Sequence, residues 1–366
     1  MRRSAAALLR LLGVAVAALL VAPSQPAAAC GWDWETYEAE ATSLPCVFDA
    51  LVGFWPKHSD TYHQRRIAAV DHALAWMPGW TEGLDARGIS LLKLGRLEEA
   101  RATMEHGRAA APEAYASHAN LGTLFTFTGD YAAALEHIDA AMKIEPKAHF
   151  GREKYHRALV VFLERVAADP EIAKRENFLG LKLDDEERRA GSPERYRQAG
   201  LEDDAIDALV AMITVYGADQ VAEIYLALGD LLALRGHPRL AYTAYRRAKE
   251  LGHPRKRELA RWMTDLNVAI MQARGRPTRG MGALYARTLK EARAAQATYQ
   301  KWEEGTIAEG LALWTAAGVD TIYAKIHETR RRCVAPHVIG DPIGGAGPDL
   351  APSEPSEAPK GEEAAP

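Results

Sequence analysis

Eight of the twelve histidines lie between His58 and His156, and imidazoles gathered in one part of a chain are the usual starting material for metal binding or proton transfer. The spacings do not favour a metal. His58 and His63 are five residues apart, whereas His149 and His156, seven apart, return to one face of a helix. His118 and His156 are read as packing or capping residues. The chain contains no Gly-x-Ser-x-Gly, His-Glu-x-x-His, phosphate-binding glycine loop or Cys-x-x-Cys, so no catalytic residue and no cofactor is expected. The run His149-Phe150-Gly151-Arg152-Glu153-Lys154-Tyr155 is a compact signature, either a packing variant or part of a binding surface.

The amino terminus points to export. Arg2 and Arg3, the apolar run Leu11 to Ala22 and Ala27-Ala28-Ala29 have the layout of a cleavable signal over residues 1–29. That run is short for a membrane span, which takes roughly 20 apolar residues. Cys30 follows the expected cleavage point, as in the lipobox of bacterial lipoproteins, although Ala27 replaces the usual larger aliphatic residue. Cys30 is therefore a lipidation candidate, and a local Cys30 to Cys46 disulfide is the competing fate. A Cys46 to Cys333 bridge would require the carboxyl-terminal helices to fold back, because an extended row of helices keeps its ends apart. A net charge of −4 and a pI near 6.3 argue against a nucleic-acid partner.

The elements that must position these residues are announced by a 34-residue period. It separates Gly88 from Gly122, Gly95 from Gly129, Ala100 from Ala134, Met104 from Ile138 and Pro112 from Pro146. His118, Leu121, Gly122, Phe125, Ala134, Ile138 and Pro146 follow the tetratricopeptide (TPR) pattern, as do Tyr225, Leu228, Gly229, Leu232, Ala241 and Tyr245. Gly88, Gly122 and Gly229, facing Ala100, Ala134 and Ala241, allow two helices to cross closely. Gly95, Gly129 and Gly236 suit the left-handed residue that ends a helix. The chain thus resembles the TPR superfamily, with copies at 81–114, 115–148 and 222–255.

The resemblance implies an all-α, TPR-like α-solenoid of helix-turn-helix repeats with extra carboxyl-terminal helices. The expected organisation is a signal at 1–29 and a lead-in or cap at 30–60, where Trp32-Asp33-Trp34 would cover the first helices. A solenoid follows at 61–255 with an insertion at 167–200, then helices at 256–332. The tail, 333–366, is rich in Pro, Glu and Ala and is expected to be disordered. The linker carrying Arg274, Arg276 and Arg279 is read as solubilising.

In TPR proteins the first helix of each repeat lines a groove. Carried over by position, that implies Glu82, Asp85 and Lys93, then Asn120, Thr123 and Phe127, then Glu153, Lys154 and Arg157, and after the insertion Glu223 and Asp230. The resulting expectation is a non-enzymatic cell-envelope scaffold, periplasmic or anchored to the outer membrane through lipid on Cys30, that binds an unidentified protein or peptide. An enzyme or metal-handling protein using the histidine-rich half is one alternative, and a structural protein self-associating through helices 283–332 is another.

Overall fold

The computed structural model describes residues 33, 35, 36, 44–201, 204–274 and 280–329. The expected signal, Cys30, Trp32, Trp34, the 275–279 linker and the tail from 330 onward lie outside the described residues. Among the described residues the chain is all-helical, with fifteen α-helices and no strand.

Three stretches hold pairs of antiparallel helices of nearly equal length: α3 (Thr81–Lys93) with α4 (Leu97–Ala110), α5 (Tyr115–Thr128) with α6 (Tyr131–Ile144), and α11 (Ala222–Leu234) with α12 (Pro238–Glu250). The preceding α1 (Val47–Val52) and α2 (Asp60–Leu74) lead into them, and α7 (Glu153–Ala168) follows α6. Residues 170–198 carry a short 3-10 turn, α8 (Asp185–Ala190) and α9 (Pro193–Gln198). α10 (Ala205–Thr214) precedes α11, and α13 (Lys256–Arg274), α14 (Met281–Ala308) and α15 (Ala316–Thr329) end the described chain. Packing runs consecutively from α2 to α7 and again from α10 to α13, so each helix leans on its sequence neighbours as in an α-solenoid.

The small residues sit where backbones meet. A Cβ added at Gly122 would fall 2.7 Å from Ile138 Cγ1, at Gly88 2.9 Å from Met104 Cγ, and at Gly229 2.5 Å from the Tyr245 ring. Ala100, Ala134 and Ala241, on the facing helices, are fully buried. Gly95, Gly129 and Gly236 take positive φ, and the next residue's N–H returns to the helix: Arg96 to Leu91, Asp130 to Phe125 and His237 to Leu232, at 2.8–3.0 Å.

Two features depart from the sequence reading. The spacing of His149 and His156 would put both on one face of a helix, but α7 starts at Glu153, because His149 lies in a 3-10 turn with φ of 51°, the one positive φ outside glycine among the described residues. More consequentially, the first and last parts of the described chain are not far apart. α1 is buried along its whole length against α10 and α12 in the larger core. α14, about 42 Å long at 1.5 Å per residue, runs from α12 past α1 to α2. There Ile307, Leu313 and Ile322 pack with Tyr62. The carboxyl-terminal helices, as far as they are described, do fold back onto α2. Cys46 is disulfide-bonded, and both possible partners in the chain lie outside the described residues.

Candidate functional site

Where the first and last described helices meet, a buried ionic cluster forms around His58. Ser59 caps α2, its side chain accepting from the Tyr62 N–H at 3.2 Å, and this sets His58 immediately before the first turn. The imidazole stacks on Tyr62 with centroids 3.8 Å apart. Its Nε2 meets Glu35 and its Nδ1 meets Glu303, which also accepts the Ser59 N–H at 2.7 Å. Tyr62 donates to Glu35 at 2.8 Å, and Arg66 reaches Asp33 at 2.8 Å and Glu35 at 3.3 Å. Burial opposes the charge on His58, yet the two carboxylates prevail and raise its pKa to about 10. Glu35 is held well below the usual range: burial works against its ionisation, but His58 and Arg66 outweigh it. His58 is therefore a fixed cation at neutral pH, unsuited to act as a base. His63, behind it, is kept neutral by burial and by the His58 charge.

Lys57 and the turn at 216–220 continue this interior across the row of first helices. Lys57 pairs with Asp219. Gly217, at φ of 80°, lies so close to the Lys93 ammonium that a Cβ there would collide with it, and burial lowers the Lys93 pKa. Tyr216 bonds to His149 Nδ1. The next layer is the signature segment itself. Glu153, buried, accepts from Tyr115 at 2.9 Å and pairs with His156 at 2.9 Å. Burial resists its ionisation, but the bonds from His156 and Tyr115 and the nearness of His149 lower its pKa to about 2.

No protein-family model matches the chain, and no curated protein matches it either.

The predicted groove residues separate into four groups. Asp85 and Asn120 come together from successive first helices, Asn120 Nδ2 donating to Asp85 Oδ1 at 2.9 Å; Asn120 and Thr123 are fully buried, while Asp85 is half-buried beside exposed Glu82. Lys93 and Glu153 are engaged by the chain's own turn and by the histidine network, as described above. Phe127 packs at the edge of the core formed by α3 to α6, Lys154 lies over the Tyr155 ring at 5.1 Å, and Arg157 turns to Asp139 of α6 at 2.5 Å. Glu223 and Asp230 are roofed by the insertion. Glu223 accepts from the Phe178 N–H and from His253, and Asp230 accepts from Asn177, Arg188 and Tyr245. The residues that sequence reasoning missed, Glu35, Arg66, Arg188 and Glu303, and the ionic role of His58, carry no local signal, because the partners lie up to 245 positions away. Among the described residues, no three His, Cys, Asp or Glu side chains converge as a metal site would require.

Asp85 is the group poised near neutrality. Burial raises its pKa to about 7, with Asp33 and Glu82 adding to the effect and the Asn120 bond opposing it. The folded chain thus keeps a proton that the unfolded chain releases from about pH 4 upward, so ionisation of Asp85 costs stability across pH 4–7. Asp85→Asn keeps the acceptor for Asn120 and removes that cost. The variant should unfold like the wild type near pH 4 and be more stable by up to about 4 kcal/mol at pH 8, read by urea denaturation at both values; an equal or lower stability at pH 8 would show Asp85 to be an ordinary ionised carboxylate.

Proposed function

We propose that this chain is an exported TPR-type scaffold that does no chemistry of its own and holds a protein or peptide along its first helices. The observation that carries this reading is the Asp85–Asn120 pair. A carboxylate set by a buried amide, half-open beside exposed Glu82, remains available at the rim of a row whose deeper charged group Glu153 is engaged by Tyr115 and His156. The open part of the row is acidic, which suits a partner segment bearing a lysine or arginine. A cation placed there would favour the ionised form of Asp85, so binding should strengthen as pH rises through 7.

The compartment is supported by the bonded state of Cys46, since disulfides persist in oxidising environments. Lipid on Cys30 remains part of the proposal only if Cys46 pairs with Cys333, because a thiol cannot carry both. Affinity capture from the native envelope, with wild type beside Glu82→Lys, Asp85→Lys, is the test. The charge-reversed chain should recover the wild-type partners at about one-tenth the yield or less, two charge-assisted contacts being worth that much. Equal recovery by both would remove the first helices from the binding role.

A further inference from the structure

His118 on α5 and His137 on α6 face one another across a single helix pair, Nδ1 to Nδ1 at 3.1 Å, with ring centroids 5.2 Å apart. Nineteen positions separate them, so no spacing along one helix reports that they meet. Each ring is held from behind. His118 Nε2 donates to the Pro112 carbonyl at 3.0 Å, in the connection between α4 and α5. His137 lies flat on Phe125, with an interplanar angle of 12° and centroids 5.5 Å apart. The Pro112 bond also fixes a tautomer. A carbonyl can only accept, so the proton of His118 sits on Nε2 and the lone pair of Nδ1 is turned towards His137. His137 Nε2 makes no hydrogen bond among the described residues, and the ring is half-buried, so its own proton can sit there on water and free the second Nδ1. Burial, helped by the nearness of His118, lowers the pKa of His137 and keeps that ring neutral at pH 7.

The geometry points to a two-imidazole clip, His118 Nδ1 with His137 Nδ1, for a divalent transition cation that keeps water in the rest of its shell. A backbone carbonyl behind a ligating ring is how metal-binding histidines are usually oriented. An ion about 2.1 Å from each of two nitrogens 3.1 Å apart subtends about 95°, close to the angle of about 90° between adjacent positions of a square-planar or octahedral shell. A tetrahedral ion would need the nitrogens about 3.4 Å apart, so Zn2+ fits only after a shift of about 0.3 Å. Cu2+ and Ni2+ are the ions taken best, and imidazole is a donor that suits both. Mg2+ and Ca2+, which take oxygen, do not fit. A site built wholly from side chains needs a third group, and none converges here among the described residues; an ion that keeps its waters needs only the two. Bound there, it would pin α5 to α6, independently of whatever the first helices hold.

Titration of the full chain with NiCl2, without an affinity tag that binds metal, tests the clip by calorimetry and by thermal midpoint. One equivalent should bind with a dissociation constant below about 100 μM and raise the midpoint, because the folded state alone brings the two rings together. CuCl2 should bind more tightly, ZnCl2 less tightly, and MgCl2 not at all. His118→Ala and His137→Ala should each weaken nickel binding at least about tenfold, with the midpoint in the absence of metal verifying that each variant is folded. The wild type gives a second reading that needs no variant: paramagnetic nickel should broaden the ring resonances of His118 and His137 before those of any other histidine. No binding below about 1 mM would overturn the inference and leave a plain hydrogen bond between two rings. Nickel affinity unchanged in both variants, or broadening that begins at other histidines, would overturn it by placing the ion elsewhere.

Discussion

Replacing His58 with alanine should lower the free energy of unfolding by about 3–5 kcal/mol at pH 7, the usual cost of stripping a buried charge of its partner. Glu303 is fully buried, and without the imidazole its carboxylate keeps only the Ser59 N–H. Glu35 is better protected, retaining Tyr62 and Arg66. The deficit should therefore shrink in His58→Ala, Glu303→Gln, where the stranded charge is gone, and persist in His58→Ala, Glu35→Gln. Because the imidazolium is stabilised on folding, its contribution is complete below about pH 6.5, declines as pH rises, and is lost as pH passes through about 10. Urea denaturation at pH 6 and pH 10 should show the wild-type advantage large at the first and small at the second. A loss under about 1 kcal/mol at pH 6 would mean that the cluster is solvated. Amide exchange gives the location: protection should fall first around residues 296–307, where α14 meets α2.

Asp230→Ala should cost a similar amount for the mirror-image reason, leaving a cation behind. Asp230, fully buried, accepts from Asn177 at 2.8 Å, Arg188 at 3.1 Å and Tyr245 at 2.7 Å. Arg188, 4% exposed, would keep its bond to the Leu183 carbonyl and its place over the Trp262 ring, 3.7 Å from the centroid, but no counter-charge. We expect a loss of about 3–5 kcal/mol, with Asp230→Asn intermediate. Arg188→Met, Asp230→Leu should recover most of it, since a buried pair replaced by apolar residues of similar bulk is often neutral. If the double variant is as unstable as Asp230→Ala, lost packing rather than an orphaned guanidinium carries the effect. Exchange should rise over residues 177–198, because Asp230 holds Asn177 and Arg188 of the insertion to α11.

The helix crossings were legible in the sequence because they depend on neighbours in one repeat. Gly88, Gly122 and Gly229 are small because Met104, Ile138 and Tyr245 occupy the space a side chain would need, and a fixed period repeats that requirement. The positive-φ glycines were readable for the same local reason. The return of α14 was not legible, because its stripe of Tyr285, Tyr299 and Ile307 says only that one face is buried and not against what. Asp85 and Asn120 meet across successive helices, while Glu223 and Asp230 hold positions that would line an open surface had residues 170–198 not been laid across them. Their burial depends on Asn177, Phe178 and Arg188, whose polar or loop-like surroundings carry no address.

Joining residues 33–66 to residues 299–322 also has a temporal consequence. A ribosome delivers the first of these stretches some two hundred residues before the second, and contacts of such long sequence separation form late. Until α14 is synthesised, Glu35 and His58 remain hydrated and the start of α2 lacks its cover. A product truncated before Tyr299 would carry an unfinished amino-terminal edge. The amino-terminal part of the chain therefore completes its packing only once the last helices exist.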